Sequence, residues 1–148
     1  MSTGDQNAWV ERPAEGVSMG RRWRDVRRLL VRPARVEAIR WGEVVVAGSG
    51  GRLVAHRAVR RTIAPDGRMV WITKGDGSWF PDRWAIDAAS VEGIVEAVRW
   101  EDGTVMTVRR SDGWWPAVTG WVLSWIWRPV EPAQAKTLSR NVSSDDGS

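Results

Sequence analysis

A succession of short β-branched segments, cut apart by glycine turns, constrains this chain more than any other feature. RRLLVR (27–32), EVVVAG (43–48), RLVAHRAVRRTI (52–63), RMVWIT (68–73), VEGIVEAVRW (91–100) and TVMTVRR (104–110) are rich in Val, Ile and Trp. Such side chains suit a pleated, half-buried surface. Between the segments stand GSGG (48–51), APDG (64–67), EDG (101–103) and SDG (111–113). Glycine accepts positive φ without a Cβ clash, so the Asp-Gly pairs are natural hairpin turns. Many short strands with regular turns predict a mainly β fold of antiparallel strands, a barrel or a sandwich, without internal repeats.

The length of 148 residues suits one domain with a real core. Residues 1–13, polar and ending in Pro13, read as a disordered N-terminal tail; 14–128 form the domain and 129–148 a flexible C-terminal tail. One segment departs from the strand pattern. WWPAVTGWVLSWIW (114–127) is uncharged and holds five of the 12 tryptophans, with Trp114, Val118, Trp121, Val122 and Trp125 at helical spacing. Pro116 and Gly120 weaken a helix there, and the stretch is shorter than the roughly 20 apolar residues a spanning helix needs. It reads either as a packing element or as a short helix in contact with a membrane surface through Trp114–Trp127. The opening residues contain no apolar run, so neither a signal peptide nor a membrane-spanning anchor is expected. The compartment is left open between cytoplasmic and peripherally membrane-associated.

Composition narrows the chemistry. With no cysteine, thiolate metal sites and cysteine nucleophiles are excluded, and no metal or organic cofactor is implied. The net charge of +4 comes mostly from arginine, in pairs such as Arg27-Arg28, Arg60-Arg61 and Arg109-Arg110. No nucleic-acid module accompanies it, so nucleic acid is disfavoured as a partner. His56 is the sole histidine, placed mid-strand. A serine hydroxyl becomes a useful nucleophile only when a base removes its proton, and His56 is the imidazole available. Ser18, in EGVSMGRRW, sits between Gly16 and Gly20, which permit a tight turn that would aim the hydroxyl and nearby N–H groups at a carbonyl.

Taken in order, Gly16-x-Ser18-Met19, RRLLVRPAR, WGEVVV, LVAHRAVRR and ITKGDGSWFPD resemble the successive boxes of the signal peptidase I and LexA-like serine peptidase superfamily. The His56-Arg57 dipeptide is similar to the branch that uses histidine as base, the endoplasmic-reticulum type. Asp76 and Asp82 match that branch's pair of aspartates. The resemblance implies a complex β-fold of short antiparallel strands with a Trp-rich C-terminal helix or apolar segment. It also implies a serine endopeptidase that cleaves an extended peptide after small residues. Ser18 would be the nucleophile, His56 the base, Asp82 the orienting carboxylate and Asp76 a supporting one, with Gly16 and Met19 at the substrate. The implied partners are a peptide or precursor-protein substrate and a membrane-anchored protein.

Arg21 stands where the family pattern has proline. Two other readings therefore stand beside the peptidase: a catalytically silent interaction module on the same fold, and an Arg/Trp-rich protein that binds membrane surfaces. In the tail, Ala133-Gln134-Ala135 follows an apolar run and fits the small-x-small rule of signal-peptide cleavage. Two alanines flanking a glutamine are also a common accident.

Overall fold

A computed structural model describes residues 9–14, 19–49, 51–126 and 131–132. The Val-rich segments become strands with nearly the predicted bounds. With three strands not foreseen, β1, β6 and β9, the described strands in chain order are β1 (Val10–Pro13), β2 (Val26–Pro33), β3 (Val44–Ser49), β4 (Arg52–Ile63), β5 (Met69–Lys74), β6 (Trp84–Ile86), β7 (Val91–Trp100), β8 (Val105–Thr107) and β9 (Glu131–Pro132). Three of the four expected glycine turns join consecutive strands, whereas SDG (111–113) falls in a 3₁₀ turn ahead of the helix. Gly51, Gly67 and Gly103 take φ of 82°, 84° and 85° at the β3–β4, β4–β5 and β7–β8 connections.

The strands join one sheet in the order β1-β2-β7-β3-β4-β5-β6-β9, with β8 added alongside β7. Every pairing is antiparallel except β6 with β9. β3 lies deep inside, and its continuous apolar run shows why: both of its faces are covered. Val44 and Val46 join Met19, Val26, Leu29, Val31, Val95 and Val98 in one core cluster. Val45 and Ala47 join Val36, Ile39, Ala58, Trp71, Ile86 and Ile94 in the other. The period of two residues thus divides one strand between two cores.

Two sequence expectations are revised, and the Trp-rich C-terminal helix is found. Val10–Pro13, assigned to a disordered tail, pair with Leu30, Leu29 and their neighbours as an edge strand. The predicted strand at 104–110 shortens to β8, and Arg110–Gly113 form a 3₁₀ turn. The uncharged segment is α1 (Trp114–Ile126). Pro116 does not break it because it stands in the first turn, where no intrahelical donor is lost. Gly120 is the point of closest approach: a Cβ there would meet Val59 Cγ1 at 2.7 Å and Lys74 Cδ at 3.0 Å. No described helix is long and apolar enough to cross a membrane.

Candidate active site

β4 carries His56 and Arg57 in succession, so their side chains leave opposite faces of the sheet. His56 lies opposite Val45 and shares its face; Arg57 lies opposite Val44 on one side and Lys74 on the other. Both are buried, His56 at 7% exposure and Arg57 at 2%. A buried imidazole and a buried guanidinium each need partners. The loop from Gly75 to Arg83, between β5 and β6, supplies a carboxylate to each.

On the first face, Asp82 Oδ2 stands 2.5 Å from His56 Nδ1 and accepts a 2.6 Å hydrogen bond from Thr73 Oγ1. The Asp82 backbone N–H donates to the Thr73 carbonyl at 2.8 Å, which fixes where the loop rejoins the sheet. Thr73 is fully buried, and the indole of Trp84 stacks on the imidazole with 5.9 Å between centroids and 25° between planes. A carboxylate at Nδ1 selects the tautomer with its proton on that nitrogen, leaving Nε2 as a proton acceptor. Nε2 is buried and has no hydrogen-bond partner among the described residues. The Asp–His pair is therefore oriented from three sides and open, chemically, at one atom.

On the second face, Arg57 Nε and Nη2 bind both oxygens of Asp76, at 2.8 and 2.6 Å, and Nη1 donates to the Gly42 carbonyl at 2.7 Å. Gly113 closes this clamp: a Cβ on it would fall 2.1 Å from the guanidinium carbon. Lys74, beside Arg57, is also buried, with Nζ 3.3 Å from the Gly75 carbonyl. Burial pushes its amine below the usual lysine range, an effect that Asp76 and Asp82 oppose and Arg57 adds to.

Of the residues expected at the site, His56 and Asp82 come together as the resemblance implied. Asp76 does not support the imidazole; it holds Arg57, because its place in the loop faces the other side of β4. Met19 is a core side chain at 5% exposure, packed in the first cluster. Its neighbour Gly20, at φ 80°, lies against the aspartate loop, where a Cβ would be 3.4 Å from Gly77 Cα. Ser18 and Gly16 lie outside the described residues, as do Ala133-Gln134-Ala135 and Trp127. Thr73, Trp84 and the Arg57 clamp were not singled out by sequence reasoning. Strand alternation would have placed Arg57 opposite His56, but nothing local assigns Thr73 to Asp82. No three acidic or histidine side chains gather to hold a metal ion among the described residues.

No protein-family model, characterised protein or solved structure matches this chain.

Proposed function

We propose that the chain is a serine endopeptidase of the signal peptidase type, with Ser18 as nucleophile and His56 as general base and acid. One observation supports this reading above others: a buried imidazole held at Nδ1 by Asp82 and left without a partner at Nε2 among the described residues. Buried polar atoms are nearly always bonded, so an unpaired one beside a charge-bearing partner marks a place for chemistry. In the proposed reaction, Nε2 takes the Ser18 proton as the hydroxyl oxygen attacks the scissile carbonyl. The imidazolium is stabilised by Asp82 and then returns that proton to the leaving amine. Water, activated by the same nitrogen, releases the acyl group from Ser18 and restores the enzyme. The resemblance in sequence order supports Ser18 for the first role, and the substrate is an extended peptide with small residues before the cut.

Incubation with a peptide bearing a serine-reactive phosphonate tests the assignment. Intact mass should show one adduct on wild type, mapped by fragmentation to Ser18, and none on Ser18→Ala or His56→Ala. Labelling at another residue, or undiminished labelling of His56→Ala, defeats it. An absence of labelling on folded wild type favours the silent interaction module instead.

A further inference from the structure

α1 is built inside out. The side chains it turns toward the sheet are small: Ala117, Gly120 and Ser124 are its buried residues. Most of its large side chains face solvent, with Trp114, Trp115, Trp121, Val122, Trp125 and Ile126 all exposed, Ile126 at 78%. A helix on a globular domain normally buries its apolar stripe and turns charge outward. Here the segment has no charged residue from end to end. The apolar surface continues beyond the helix. A groove of about 650 Å³ runs between α1 and the aspartate loop, lined by Trp79, Trp115, Val118 and Val122, with Lys74 and Asp76 among its polar groups. Trp79 is 86% exposed and Phe80 follows it at 57%.

The opposite flank of α1 is basic. A shallow groove of about 560 Å³ beside Trp121 and Trp125 is lined by Arg40, Arg60, Arg61 and Arg110. None of the four pairs with a carboxylate among the described residues. Arg60 serves the helix, donating to the Ser124 carbonyl at 3.0 Å and lying over the Trp125 ring at 4.6 Å. Arg40, Arg61 and Arg110 are exposed.

We infer that this face docks on an anionic lipid bilayer, with the outer side of α1 and Trp79–Phe80 in the interface and the arginines at headgroup level. Indole rings favour that depth, where an apolar body and a polar N–H are both accommodated. Exposed arginines along one edge, unpaired with carboxylates among the described residues, complement negatively charged headgroups. A nucleic-acid groove would instead interleave cations with its aromatic row, and it would gain nothing from Val122 and Ile126. The inference holds whether or not Ser18 cuts peptides, because no residue of the Asp–His pair takes part in it.

Flotation of the full chain with vesicles tests this inference. Phosphatidylcholine containing equal phosphatidylglycerol should carry the protein up the gradient, and pure phosphatidylcholine should carry at least tenfold less. Ile126→Glu with Trp115→Glu should lose tenfold or more. Arg40→Gln, Arg61→Gln and Arg110→Gln together should lose roughly a hundredfold, about fivefold for each cation. Bromine on the acyl chains should quench the fluorescence of the unaltered protein, a result independent of whether any variant folds. The inference is overturned if anionic vesicles neither float nor quench the wild type. It fails equally if single-stranded DNA is bound while vesicles are not, or if light scattering shows a dimer that Ile126→Glu dissolves without vesicle binding.

Discussion

Asp82 is the residue on which the proposed chemistry turns, since one of its oxygens meets both His56 Nδ1 and Thr73 Oγ1. Asparagine in its place keeps the shape but removes the charge, and its amide invites the wrong imidazole tautomer. Asp82→Asn should therefore lower peptide cleavage on the order of 10³–10⁴-fold while leaving the fold intact by circular dichroism. Thr73→Val removes one donor to the carboxylate from a fully buried position. It should cost about 1–2 kcal/mol in urea unfolding and reduce cleavage far less than Asp82→Asn. Equal activity in wild type and Asp82→Asn would show that the pair is structural only. The histidine was legible as a candidate from its rarity and its company. Its partner's identity was legible only through the resemblance, because spacing alone does not say which of two loop aspartates faces which side of a strand.

The loop from Gly75 to Arg83 and helix α1 show how elements divide the work. Consecutive positions on β4 face opposite ways, so a single loop rounding the sheet's end delivers Asp76 to Arg57 and Asp82 to His56. The 3₁₀ turn, through Gly113, and the helix after it, through Ala117, Gly120 and Ser124, then close over the Arg57 side. Gly113→Ala would set a methyl against a guanidinium that is 2% exposed and bonded to Asp76 and Gly42, so the clamp must open. Breaking such a buried pair costs about 3–5 kcal/mol. Gly120→Ala meets the Val59 methyl at 2.7 Å and should cost about 1–3 kcal/mol. Urea midpoints of the two variants check both, and a Gly113→Ala midpoint equal to wild type would contradict the clamp. Pro116 and Gly120 argued against a helix in the sequence. Position within the first turn excuses the proline, and the need for close approach to Val59 explains the glycine.

At the scale of the whole molecule, the buried Lys74 should make stability depend on pH. Burial lowers its folded pKa, whereas the unfolded chain holds the proton up to about 10.4. Between the two values the unfolded state binds more protons, so stability climbs as pH rises through that window; below it the full cost of the buried charge stands. Lys74→Met should therefore be more stable than wild type at neutral pH, and the gap should narrow as pH approaches about 10. Thermal unfolding across that range measures it, and a constant gap would remove Lys74 as the cause.

The strands, their turns and the mainly β class were determined by the sequence itself, because alternation, β-branching and glycine at positive φ act over a few residues. The sequence also determined that α1 carries no charge. Only the tertiary structure decided which face of that helix meets the sheet, and it chose the small residues. Close packing against Val59 and Lys74 leaves no room for indole rings, so the tryptophans are turned outward. The two aspartates were likewise assigned only by the path of a loop around a sheet edge, a relation between distant segments that no local pattern encodes. Local preferences therefore built the strands, and the geometry of their assembly placed the imidazole, its carboxylate and the aromatic face.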